Sequence, residues 1–161
     1  MNHLKHKVLA GAFLALASTV TFGQAAGTGT IAVSAQVQGV CRFTATPAMT
    51  FAAIDPSTTG NKTATSAVKY RCTKGTAGWT NFTVGGDGSS PYSGSLLGAT
   101  APADTMAYTI AWGAIAAFTG AGFGASAAEN TITLTGTIAD TAYSVVKADT
   151  YSENVAISIA P

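Results

Sequence analysis

The sequence predicts an all-β domain, a sandwich or a barrel, and three observations carry that prediction. Beyond residue 25, helix signals are nearly absent and the chain is rich in Thr and Gly, which suit strands and turns rather than helix interiors. Apolar runs are short and separated by clusters of turn residues. Two segments alternate cleanly. In "NTITLTGTI", Ile132, Leu134, Gly136 and Ile138 fall on one face and Thr131, Thr133, Thr135 and Thr137 on the other; in "YSENVAISIAP", Tyr151, Val155, Ile157 and Ile159 share a face interrupted only by Glu153.

Taken in order, residues 1–25 form a secretory signal. Lys5 and Lys7, with His3 and His6, precede an apolar run over residues 8–20, and Gly23, Gln24 and Ala25 supply a cleavage site after Ala25 or Ala26. That run is too short for a membrane span, and the Ala-rich stretch 111–128 is broken by Gly113, Gly120, Gly122 and Gly124, so the mature chain is expected to lack a transmembrane segment. Next comes "GTGTIAVSAQVQGVC", in which Ile31, Val33, Ala35 and Val37 alternate with Ala32, Ser34, Gln36 and Gln38. It reads as a strand over residues 30–38 with one dry face. Further strands are expected over residues 41–45, 49–51, 64–72, 79–85, 107–112, 130–138 and 151–159. Pro47, the run Asp55 to Asn61, and Lys74-Gly75-Thr76 mark turns. Residues 85–104 read as a long Gly/Ser/Pro-bearing loop with at most a short strand at 95–97. There is no internal repeat and no sign of a second domain.

Composition excludes several functions. Charged residues make up 9% of the chain, against about 25% in an ordinary globular domain. Without the signal, six basic residues face seven acidic ones and no His remains. Nucleic acid demands a basic stripe that this chain lacks. Its commonest general base is missing, and no cofactor or metal site is expected. The carboxylates Asp55, Asp87, Asp104, Glu129, Asp140, Asp149 and Glu153 sit mostly in apparent turns, where Asp bonds the local backbone. "GGDGSS" at residues 85–90 has too few oxygen ligands for calcium. The chain is read as a non-enzyme.

Cys41 and Cys72, two cysteines in an exported chain, are expected to form a disulfide. A loop of about 30 residues closed this way stabilises by about 3–4 kcal/mol in the chain-entropy model. Trp79 and Trp112 suit a sandwich core, or alternatively a sugar-binding platform with Tyr92. Tyr92 and Phe123, in Gly-rich loops, are candidates for exposed contacts.

Together these residues resemble the spore coat U domain family, subunits of archaic chaperone–usher pili. The matching features are "IAVSAQVQGVC" before the first Cys, "MTFAAIDP" with Ala52 for the usual Gly, "AVKYRCTKG", "MAYTIAW", and the closing "ADTYSENVAISIAP", with Asp149 for Gly and Glu153 for Asp. The resemblance implies an immunoglobulin-like β-sandwich lacking one strand and completed by donor-strand exchange. It divides the chain into a signal (1–25), a donor extension (26–39) and an incomplete pilin domain (40–161). It makes Ile31, Val33, Ala35 and Val37 the donor row, and Val155, Ile157 and Ile159 the wall of the acceptor groove. Neighbouring copies, a periplasmic chaperone and an outer-membrane usher are the implied partners. Export through the periplasm to a surface pilus serving adhesion and biofilm formation is the implied role. A secreted carbohydrate-binding sandwich and a non-fibrous spore or cell-coat protein are the alternatives.

Overall fold

The computed structural model describes residues 27–77, 81–115 and 117–161; the signal expected over residues 1–25, residue 26 and Trp79 lie outside the described residues. The chain divides into two units, Met1–Ala35 and Gln36–Pro161. In the first, residues 27–35 carry no regular structure and are exposed. The strand expected over residues 30–38 is therefore not formed. Alternation supplies a face, but a strand also needs a ladder partner for its N–H and C=O groups.

The second unit is an immunoglobulin-like antiparallel sandwich. Its larger sheet has the order β1-β2-β6-β5-β4-β7, and β3 pairs with β8 in a second sheet. The strands are β1 (Cys41–Ala45), β2 (Lys62–Cys72), β3 (Asn81–Val84), β4 (Tyr92–Gly98), β5 (Thr105–Trp112), β6 (Asn130–Ile138), β7 (Tyr151–Ser152) and β8 (Ile157–Ala160). Strand β6 matches its expected bounds. Its Ile132, Leu134 and Ile138 are buried while Thr131 and Thr133 face solvent, as the period-2 pattern requires. Val68 and Tyr70 of β2, Met106, Tyr108 and Ile110 of β5, and Phe82 and Val84 of β3 complete the core. Burying each large aliphatic side chain contributes about 1.5–3 kcal/mol.

The disulfide Cys41–Cys72 is formed and joins directly paired positions of β1 and β2, with Cα atoms 4.1 Å apart. Beyond Cys72, Gly120 approaches the backbone so closely that a Cβ there would collide with the Thr73 carbonyl. This lets the 117–124 segment lie along the end of β2, with Phe118 edge-on to Tyr70 at 5.3 Å. Arg71 fastens it by donating to the Gly124 carbonyl at 2.9 Å.

Four expectations are corrected. Residues 49–51 form no strand; Met49 and Phe51 instead pack inward onto β6, in the space left by the absent side chain of Gly136. Residues 85–104 are not a loop with at most a short strand at 95–97: a full strand, β4, fills seven of the twenty and lies between β5 and β7. Its glycines and serines hide it in the sequence. Gly94 sits opposite Tyr108, whose ring covers the bare backbone and would stand 2.7 Å from a Cβ there. Residues 151–159 are not one strand: β7 pairs with β4 and β8 with β3, so the chain crosses from one sheet to the other at residues 153–156. A short helix, α1 (Asp140–Tyr143), is present where none was expected. It buries Tyr143, whose hydroxyl shares its proton between the carbonyls of Thr58 and Gly60 at 2.7 and 2.8 Å.

Candidate strand-docking site

Strand β8 is bonded on one edge only. Its four residues pair with β3, and no strand among the described residues pairs with its other edge. Strand β1, the outer strand of the larger sheet, approaches β8 across the sandwich and, among the described residues, pairs with β2 alone. Two unpaired edges thus lie on the same side of the core. Exposed edges of this kind template pairing with another chain.

The side chains along this opening are apolar and incompletely covered. Val155, Ile157 and Ile159 point toward the core from the last segment and remain half-buried. Phe43, Met49, Phe51 and Ile54 are half-buried on the opposing side. Between the 49–56 and 146–153 segments lies a cleft of about 640 Å³, walled by Met49, Phe51 and Ile54 and floored by Leu96, Met106, Ile138 and Tyr143. It forms because β3 and β8 cover only part of the larger sheet's inner face. Ser66 of β2 holds one rim, donating to the Pro47 carbonyl at 2.7 Å.

The charges around the cleft are already engaged. Glu153 accepts a hydrogen bond from the Tyr108 hydroxyl at 2.7 Å. Burial first, and then this bond to a carboxylate, push the Tyr108 phenol well above its ordinary range. Asp149 accepts from the N–H groups of Thr100, Ala101 and Thr150 and from the Thr100 hydroxyl, at 2.8 to 3.2 Å. These bonds, led by the Thr100 N–H, hold its carboxyl below the usual carboxylate range. Lys147 reaches Asp104 at 3.3 Å. The cleft floor accordingly presents hydrocarbon, with no free charge aimed at it.

The residues proposed for the donor row lie in the open. Ile31, Val33 and Val37 are 90%, 89% and 82% exposed, and Ala35 is exposed too. Single exposed apolar residues are ordinary, but four in strict alternation, three of them large, form a surface that water covers poorly. Sequence reasoning missed the packing of Met49 and Phe51 against Gly136, and the Tyr108–Glu153 bond. The signal available for the first was the glycine inside a strand otherwise rich in Thr and Ile.

Of the aromatics considered as a sugar platform, Trp79 lies outside the described residues, and Trp112 and Tyr92 pack against other rings. Trp112 stands edge-on to Phe82 at 5.6 Å, and its backbone is held on both sides by the Ser90 hydroxyl. Tyr92 is half-buried, not exposed, and stands edge-on to Tyr108 at 6.3 Å. Phe123 remains 44% exposed.

Fold and site define the class: an antiparallel β-sandwich with an open, apolar edge and an unpaired alternating segment. Residues 27–158 match the Spore Coat Protein U domain, and the chain belongs to that family. It is a family of structural, pilus- or coat-type surface proteins rather than of enzymes. No curated protein and no solved structure matches the chain. Among the described residues, no helix is long and apolar enough to cross a membrane.

Proposed function

We propose that this protein is a structural subunit of a surface pilus, assembled by the chaperone–usher pathway through donor-strand complementation. One observation carries the proposal: the same chain presents an unpartnered alternating segment and a half-buried apolar opening flanked by unpaired strand edges. Ile31, Val33, Ala35 and Val37 of one copy would fill the opening of the next, against Val155, Ile157 and Ile159. Backbone ladder bonds to β8 would hold the strand, as in other β-augmentation. Three buried Ile or Val side chains at about 1.5–3 kcal/mol each, together with the ladder, make a long-lived joint. Until a neighbour arrives, a periplasmic chaperone would cover the opening, and an outer-membrane usher would exchange chaperone for neighbour. The fibre would then serve adhesion and biofilm formation at the cell surface.

The test is Val33→Asp in the mature chain. A charge buried in a hydrocarbon cleft is costly, so the variant should fold but fail to form polymers that survive SDS without heating. Wild-type levels of polymer from this variant would refute the donor role.

A further inference from the structure

Residues 38–40 connect the alternating segment to β1, and one side chain fixes their course. The Thr73 hydroxyl accepts from the Val40 N–H at 3.1 Å and donates to the Gln38 carbonyl at 3.0 Å. The Thr73 N–H donates to the Val40 carbonyl at 2.9 Å. Val40 and Thr73 are the next pair in the register set by Cys41 and Cys72. The hydroxyl therefore stands in for a further strand residue and carries the line of β1 back to Gln38. Gly39, unlike Gly60, Gly75, Gly85, Gly86 and Gly122, does not take the left-handed conformation that a tight reversal would use.

This root decides between two partners. In the complementation proposed above, the inserted strand lies beside β8, the strand that β1 approaches. A chain that filled its own groove would have to reverse within residues 38–40. Self-filling and cross-filling bury the same side chains, so the groove contacts cancel in the comparison. Tethering favours self-filling only where the linker can reach: a short flexible linker gives an effective concentration on the order of millimolar, and one that cannot span the sites gives almost none. The opposing costs are the reversal within three residues and the loss of the bonds at the root that such a reversal requires. We infer that Thr73 is a specificity-determining residue: by holding Gln38 and Val40 in line with β1, it withholds the segment from its own groove and leaves it for a second copy. This rests on the donor-strand reading.

The experiment refolds the mature full chain from guanidinium at low protein concentration. It then measures monomer and polymer by size exclusion and by SDS resistance, and follows hydrogen exchange of the amides of residues 30–37 in the monomer. Wild-type monomer should exchange freely there. Thr73→Val removes the hydroxyl at nearly constant volume and should raise the amount of protected, self-filled monomer roughly tenfold, the change that corresponds to about 1.4 kcal/mol of lost hydrogen bonding. Thr73→Ser keeps the hydroxyl and should behave as wild type. Inserting Gly-Gly-Ser between Gln38 and Gly39 frees the reversal without touching Thr73, and should reproduce the Thr73→Val result even if that variant folds poorly. Protected monomer at the wild-type level in the insertion variant overturns the inference, as does a wild-type monomer already protected at residues 30–37. A synthetic peptide of residues 27–38 added to the Val33→Asp chain separates the two proposals. If the peptide does not bind, the donor-strand reading falls and this inference with it; if it binds while the insertion variant matches wild type, the role of Thr73 alone is wrong.

Discussion

The hydroxyl of Tyr108 donates to Oε2 of Glu153 at 2.7 Å, joining the middle of β5 to the segment where the chain crosses between sheets. Tyr108 is 6% exposed, and its ring covers Gly94 on the neighbouring strand. The bond fixes where the crossover leaves the larger sheet, and so where Val155, Ile157 and Ile159 begin to face the opening. Tyr108→Phe should lower stability to urea by about 1.5–3 kcal/mol, the range for a hydrogen bond to a charged group. Glu153→Gln, which keeps an acceptor, should cost less. No loss from Glu153→Gln would argue against a charge-assisted bond.

The same pair predicts an alkaline limit. The Tyr108 phenol is raised in the folded state, mainly by burial. The unfolded chain therefore ionises first, near the ordinary tyrosine value of about 10. Stability is unaffected below that pH and falls as pH rises above it. Urea midpoints measured from pH 8 upward should decline beyond about pH 10, and Tyr108→Phe should flatten that decline. A slope unchanged by Tyr108→Phe would assign it to other tyrosines.

An acid limit has the opposite sign. The Asp149 carboxyl is depressed by the Thr100 N–H and its companions, so its contribution is complete above the ordinary carboxylate range and is lost as pH falls through and below it. Asp149→Asn should reduce the acid-side slope of the stability profile while leaving neutral-pH secondary structure intact. Retention of the full slope in that variant would show that Asp149 does not set it.

Gly136 is a packing requirement. A Cβ there would collide with Met49 Sδ and stand 2.9 Å from Phe51 Cζ. Ala usually suits a strand better than Gly, yet Gly136→Ala should destabilise by about 1–3 kcal/mol, the cost of overpacking. Adding Met49→Ala should recover part of that loss in a double-mutant cycle. Strict additivity would mean that the two side chains do not compete for this space.

The disulfide closes a loop with a sequence separation of 31. Replacing Cys41 and Cys72 together with Ser should cost about 3–4 kcal/mol, read as a fall in the urea midpoint that dithiothreitol reproduces in the wild type. No shift on reduction would indicate that the pair contributes nothing beyond the ladder between β1 and β2.

Several features were legible in the sequence because each depends on local order. Period-2 alternation placed β6, and short apolar runs between turn clusters marked β2 and β5 as strands. Two cysteines, with no third to compete, determined their own pairing. The run from Ile31 to Val37 announced a dry face whether or not anything covers it. What the tertiary structure decided was every feature that depends on a partner distant in sequence. Strand β4 is a strand because β5 and β7 lie on either side and Tyr108 covers Gly94, while its own residues favour a turn. The last segment divides because Tyr108 captures Glu153 at the crossover. Residues 49–51 turn inward because Gly136 leaves them room. The segment from Ile31 to Val37 stays without a strand for the same physical reason: alternation is a property of one chain, but a ladder belongs to two.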